Sequence, residues 1–311
     1  MTYVVGSAAG DSTDLWARAV TRNMAKHIPG KPHIVVQNMP GASGLIAANY
    51  IYGGAKLDGL TMGSVSAGHY FHQLFGHKKS RFDWRKFTWI GSSSRREYLL
   101  VVRADTPYKS IEDIRAAKEP PKCSAAGAGS ASHLTLKILE ESFGLKLKID
   151  TDYGEGSEQD LALERGEVQC RGIAAASFGR EPVRGWMKKK LIRVLVQTSP
   201  KRNLRLPEVP TVYELMDRFH VPAANRRVAL VMLGVDNFGD FPTVASPGVP
   251  TNRTKILRAA YAKALEDPDL LDEARKRGWN VDPISGEDLE SLAREVLGQP
   301  AGSSSPEVTL R

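Results

Sequence analysis

The chain has 311 residues, 41% of them hydrophobic, and a formal net charge of +8. That length can bury one large core or two moderate ones, and no run approaches the roughly 20 apolar residues that a membrane-spanning helix needs. The basic residues are spread along the chain without the aromatic interleaving of a single-strand binder, so a field that gathers small anions is the expected use of the charge and nucleic acid is not an expected partner.

The opening stretch "VVGSAAGDSTDLWARAV" (4–20) reads as a strand, a glycine- and hydroxyl-rich turn, and a helix. In that helix Leu15, Trp16, Ala19, Val20 and Met24 recur at helical spacing, and Pro29-Gly30 stops it. The turn holds Gly6, Ser7, Gly10, Ser12 and Thr13. It offers N–H groups and hydroxyls where a helix dipole is positive, which suits a bound anion or the helix's own caps. "HIVVQNM" (33–39) is a second strand, leading through "PGASG" (40–44) into helical "LIAANYIY". "LTMGSVSAG" (60–68) is a third strand with a small-residue exit. Strand, small-residue turn and helix in repetition predict a parallel sheet with crossover helices. His69, His72 and His77 cluster locally. Lacking an adjacent carboxylate or thiol, they read as a polar helix face and not as a metal site.

Near residue 98 a second series begins. "YLLVVRADTPYKS" is a long strand, followed by a helix with Ser110 at its N-cap and Asp113 three residues on, a capping-box arrangement. "KCSAAGAGSASHLTLKILEESFG" is strand, Gly/Ser turn and helix, closed by Gly144, and the next unit closes at Gly166. "VQCRGIAAASFG" starts the unit again, and "MKKKLIR" (187–193) reads as a helix end feeding the last strand, "LIRVLVQTS". Cys123 and Cys170 fall in short apolar segments and read as buried free thiols, since a disulfide requires the two segments to be neighbours. Beyond "RRVALVMLG" come a Pro/Gly-rich connection, two helices, the short strand "NVDPI", a helix capped by Ser285 and a loose polar end. The last helices are expected to complete the first domain. The predicted architecture is two doubly wound α/β lobes, residues 1–99 with 223–311 and residues 100–222.

Six stretches, "GSAAGDSTDLWAR", "VVQNMPGASGLIAANYI", "LDGLTMGSVS", "AAGAGSASHL", "SPKRNLRLPEVPTVYEL" and "SPGVPTNRTKILRAAYAKALEDPDL", fall in order over nearly the whole chain. Together they resemble the solute-receptor subunit of tripartite tricarboxylate transporters, also called Bug receptors. The resemblance implies a periplasmic binding protein of type II-like fold, with two lobes joined by crossing strands and a carboxylate held in a cleft between them. It implies membrane permease subunits as partners. The chain opens on a core strand with no leader visible, and Met1 reads as a native start or as the start left after a leader was removed. The periplasmic location that the resemblance implies presumes the latter, and a monomer is expected.

The resemblance places the first ligand loop at Gly10, Asp11, Ser12, Thr13 and Asp14 and a second turn at Pro40 to Gly44, with Gly41 and Ser43 as contacts. It places a strand exit at Ser64, Val65 and Ser66, and the second lobe's turn at Gly127 to His133, with Gly127, Gly129, Ser130, Ser132 and His133 as contacts. Ala174 to Ser177 would face the cleft, and Tyr153 could reach it. Plainer roles compete at each position. Ser12, Thr13, Ser130 and Ser132 are ordinary capping residues, and Gly41 and Gly44 permit a tight turn. His133 could lie on a helix surface and Tyr153 in the core, while Asp14 and Glu155 could be simple helix-start carboxylates.

Asp11 stands where the family carries a glycine and would repel a carboxylate placed directly on it. Phe238 and Phe241 could line or lid a pocket. The ligand class this leaves is a small aliphatic or aromatic carboxylate. An enzyme and a sensor that signals to a protein partner are the alternatives. "GAGSAS" (127–132) has two glycines of a dinucleotide fingerprint but Ser132 in place of the third, and no GxSxG, GxxxxGK[ST] or HExxH pattern occurs. No catalytic residue, metal ligand set or cofactor is therefore expected.

Overall fold

The apolar run at the start of the chain forms β1 (Thr2–Val5), whose Tyr3, Val4 and Val5 are fully buried. The structure, a computed structural model, describes residues 1–76, 78–125, 130–153, 156–179 and 181–298, and all structural statements concern these. They divide into a first unit, Met1–Arg95 with the chain from Gly234 onward, and a second unit, Arg96–Leu233. In the first, β1 is followed by α1 (Ser12–Met24), β2 (Val35–Asn38), α2 (Leu45–Asn49), β3 (Thr61–Ser64), α3 (His69–Leu74) and β4 (Thr88–Ser92). β1 lies parallel to β2 and β3, with Val5 opposite both Asn38 and Ser64. The three strands therefore end at one level, and the turns that follow them start side by side.

The second unit runs β5 (Tyr98–Arg103), α4 (Ile111–Ala116), β6 (Lys122–Ser124), α5 (Ala131–Phe143), β7 (Lys148–Asp150), α6 (Ser157–Arg165), β8 (Cys170–Ala174), α7 (Val183–Lys188), β9 (Ile192–Gln197), α8 (Val212–Arg218) and most of α9 (Ala223–Phe238). Its sheet has the order β7-β6-β8-β5-β9. Successive β5 residues serve opposite faces: Leu100 and Val102 join the cluster of Leu136, Leu139 and Met216, while Leu99 and Val101 join Leu163, Val183 and Trp186. Burial on both faces explains the uninterrupted apolar run. The Ser110–Asp113 capping box is present, and Gly144 and Gly166 close their helices in the left-handed conformation.

Five expectations need correction. Cys123 and Cys170 are not free thiols: they sit opposite one another on parallel β6 and β8 and form a disulfide. The sheets are mixed and not purely parallel. β5 is antiparallel to β8 and β9, and an antiparallel neighbour pairs without a crossover helix. The chain leaves the second unit inside α9, a helix where crossing strands were implied. It then adds β10 (Thr243–Ala245), α10 (Thr251–Glu266), α11 (Pro268–Arg277), β11 (Ile284–Ser285) and α12 (Gly286–Leu297) to the first unit. There β10 pairs antiparallel between β3 and β4, and β11 pairs with β4.

Phe238 and Phe241 belong to the core of the first unit. Phe238 is fully buried, stacked on Trp89 at 5.1 Å between ring centroids and edge-on to Trp84 at 5.3 Å, and Phe241 stacks on Trp16 at 5.6 Å. His69 is buried and does not form a polar face; His77 lies outside the described residues.

Candidate functional site

In the first unit the turns after β1 and β2 touch because both carry glycine at the contact. A Cβ on Gly6 would stand 2.6 Å from Gly44 Cα, closer than any side chain allows. The second turn holds four consecutive positive φ values, 131° at Gly41, 47° at Ala42, 53° at Ser43 and 86° at Gly44. Ala42 and Ser43 are strained there, and such strain persists only where neighbours fix it. The fixing bonds are Gly44 N–H to the Gly41 carbonyl at 3.0 Å and His69 Nε2 to the Ser43 carbonyl at 3.0 Å. Burial lowers the pKa of His69, and because a carbonyl oxygen only accepts, the Nε2 that faces Ser43 carries a proton. Among the described residues its buried Nδ1 has no hydrogen-bond partner.

The first turn is fastened from inside α1. Asp14, 1% exposed, accepts Gly10 N–H at 2.8 Å, Asn38 Nδ2 at 3.0 Å and Arg18 Nε at 3.0 Å. The Arg18 bond above all holds its carboxyl down to about 2, against the opposing effect of burial. Asn38, the last residue of β2, also donates to the Ser7 carbonyl at 3.1 Å. Asp11 occupies the N-cap with an extended backbone, yet its side chain makes no cap bond. Among the described residues the N–H groups of Ser12 and Thr13 therefore have no protein acceptor. Asp11 and Ser12 are exposed and Thr13 is half-buried. Beside them the buried Ser7 hydroxyl is also unpartnered. The turn thus presents free donors at the positive end of a four-turn helix.

Two further residues of this group behave differently. The Ser64 hydroxyl is buried and bonded at 2.7 Å to Tyr3 Oη, which also bonds Thr243 Oγ1 at 2.8 Å. Ser66 is exposed after β3, and its carbonyl accepts the His69 N–H at 3.0 Å.

In the second unit Ser130 caps α5, accepting His133 N–H at 3.2 Å and standing 3.1 Å from the Ser132 hydroxyl. This end of α5 packs on β8, where a Cβ at Gly172 would meet the Ser132 carbonyl at 3.1 Å. The half-buried His133 ring has a pKa lowered by burial and then by Lys137. Ser177 is buried in the turn after β8. Tyr153 packs its ring on the Leu99–Val101 face, and its hydroxyl adds to Asp150 in raising the pKa of Lys122. Gly127, Gly129 and Glu155 lie outside the described residues.

Sequence reasoning missed several members of these sites. Asn38 and Arg18 stand around Asp14, and the signal was present: a polar residue ending a β-strand, and Asp14/Arg18 at helical i, i+4 spacing. Ser124, ending β6, is fully buried, and its hydroxyl has no hydrogen-bond partner among the described residues. Arg171 on β8 is buried and ion-paired with the equally buried Asp160 of α6, and it donates to the Gly156 carbonyl at 2.8 Å. Among the described residues no group of three His, Cys, Asp or Glu side chains is placed to hold a metal ion, and no helix is long and apolar enough to cross a membrane.

Comparisons with known proteins agree with this architecture. A Cupriavidus necator protein named UPF0065 is 29% identical over 299 residues, covering 94% of this chain and 83% of that protein. A second UPF0065 protein, from Pseudomonas sp. strain P51, is 27% identical over 284 residues, covering 89% and 77%. The crystal structure of a TctC solute binding protein from Polaromonas has the same fold, with a TM-score of 0.70 at 22% identity over 95% of this chain and 94% of that one. The model of the tripartite tricarboxylate transporter family receptor matches residues 16–299. The chain belongs to that family of receptors, and is not an enzyme.

Proposed function

We propose that the protein is a periplasmic receptor that captures a small organic carboxylate and delivers it unaltered to the permease subunits of a tripartite tricarboxylate-type transporter. The observation that carries this reading is the uncapped start of α1. Ser12 and Thr13 offer free N–H groups beside their hydroxyls, on a turn that Asp14 and Asn38 hold rigid. Neutral donors at a positive helix end attract a carboxylate and release it again. Ser43 and Ser66 extend the donor set in the first unit. Water bridges complete the contacts.

Asp11 disfavours a second carboxylate near the α1 terminus, so the ligand presents one carboxylate there and an aliphatic or aromatic body. The buried disulfide supports an oxidising compartment. The working state is a monomer.

Native mass spectrometry of the gently purified protein, followed by a thermal-shift panel of mono-, di- and aromatic carboxylates, tests the reading. A bound acid recovered unchanged, with a melting temperature that climbs with its concentration, is expected. Chemical conversion of the acid, or no shift with any member of the panel, overturns it.

A further inference from the structure

β9 is an edge strand of the second unit's sheet, paired with β5 on one side. Among the described residues its other side carries a single bridge, Gln197 to Thr211. Along that side runs a groove of about 520 Å³, walled by the consecutive β9 residues Ile192 to Leu195 and by parts of α4, α8 and the 202–210 connection. Its floor is apolar, with Ile111, Leu206, Val209 and Leu215. Native proteins cover or charge such an edge because its backbone groups template another strand.

Lys109, Arg193, Arg202 and Arg218 line the groove together with the carboxylates Glu112 and Glu208, so its lining carries a net positive charge. The Lys109 and Arg193 side chains line it without an ion pair among the described residues; Arg193 donates to the Thr106 and Tyr108 carbonyls, and its charge helps to lower the pKa of Asp105. Next to the groove lie the exposed run Lys188, Lys189, Lys190 and the exposed pair Lys201 and Arg205, which also make no ion pair among the described residues. Arg202 and Arg218 are neutralised by Glu214 and Glu112. Leu204, in the same connection, is 97% exposed.

From the open edge, the apolar floor and the basic border we infer that this groove docks an extended acidic segment of a protein partner, which adds to β9 as a further strand. Backbone pairing with Ile192–Leu195 supplies affinity, alternate apolar side chains enter the floor, and acidic side chains meet the lysines. A concave, strand-walled surface suits a peptide better than a lipid bilayer, which needs a convex apolar wedge. The inference concerns a different surface from the carboxylate site and stands independently of it.

A fluorescein-labelled Glu-Val-Glu-Val-Glu peptide, titrated into the full chain and followed by anisotropy, is the test. Saturable binding is expected, weakened about fivefold between about 50 mM and about 300 mM salt. Binding should fall about tenfold in the Lys188→Glu/Lys189→Glu/Lys190→Glu variant, and the amides of Ile192–Leu195 should gain protection from hydrogen exchange. The same peptide methylated on every backbone nitrogen should not bind. Equal binding of the methylated peptide, unchanged exchange along β9, or attachment to phosphatidylglycerol vesicles without binding of the peptide overturns the proposal. The triple variant's unchanged thermal response to carboxylates separates this result from any failure at the other site.

Discussion

Asp14 Oδ2 accepts the Gly10 N–H at 2.8 Å, so the turn after β1 is fastened by a carboxylate of the helix that this turn begins. The same carboxylate gathers Asn38 from the end of β2 and Arg18 from the next turn of α1. Its folded pKa of about 2 lies below the ordinary 3.8. A depressed carboxyl contributes stability that is present above the unfolded value and is lost as pH falls through the folded one. Between about pH 4 and about pH 2 the protein should lose about 2 kcal/mol through this group. Asp14→Ala should remove a similar amount at neutral pH and abolish that acid-dependent part, as measured by urea unfolding at each pH.

The Cys123–Cys170 bond closes a chain segment of 47 residues between two fully buried positions. Chain-entropy reasoning assigns such a closure about 4 kcal/mol. Replacing both cysteines by alanine should lower unfolding free energy by about 2–5 kcal/mol, and a reductant should act on the native protein only slowly because neither sulfur is exposed. Thermal melts with and without reductant check both statements.

Local signals were legible wherever one residue and its immediate neighbours decide the outcome. Ser110 with Asp113, Ser285 before α12, and Gly144 and Gly166 at helix ends behave as their chemistry dictates. The six ordered stretches carried the family and hence the fold. What stayed hidden depends on non-local pairing. Nothing near Cys123 or Cys170 announces that β6 takes β8 as a neighbour in that register. The antiparallel insertion of β10 between β3 and β4 is equally distant in sequence. Phe238 read as a residue that could line a pocket because its stretch departs from the family pattern, yet α9 carries it into a tryptophan cluster. His69 read as part of a polar face because no carboxylate or thiol stands beside it in sequence, while its ring is buried against the Ser43 carbonyl.

Gly6 separates packing from donor chemistry. A methyl group there meets Gly44 Cα at 2.6 Å and its carbonyl at 3.3 Å, both backbone atoms that cannot rotate away. Gly6→Ala should therefore push the two turns apart, costing about 1–3 kcal/mol in stability. It should also weaken carboxylate binding about tenfold, because a small displacement misaligns donors that must converge. Calorimetric titration beside a denaturation curve reads the two effects separately, and full affinity in the folded variant would show that the first two turns do not act together on the ligand.

The Ser12 and Thr13 hydroxyls supply a cleaner probe, since the N-cap position belongs to Asp11 and neither hydroxyl caps α1. Removing both leaves the helix start and its free N–H groups in place. Ser12→Ala/Thr13→Ala should thus leave unfolding free energy within about 0.5 kcal/mol of the parent. Affinity for the acid identified by native mass spectrometry should drop at least about tenfold, equivalent to about 1.4 kcal/mol. Titration calorimetry measures the drop. An affinity equal to the parent's would take the two hydroxyls out of the binding site and leave only the backbone N–H groups of this turn as its donors, whereas equal losses of affinity and stability would mean that the hydroxyls hold the helix and not the ligand.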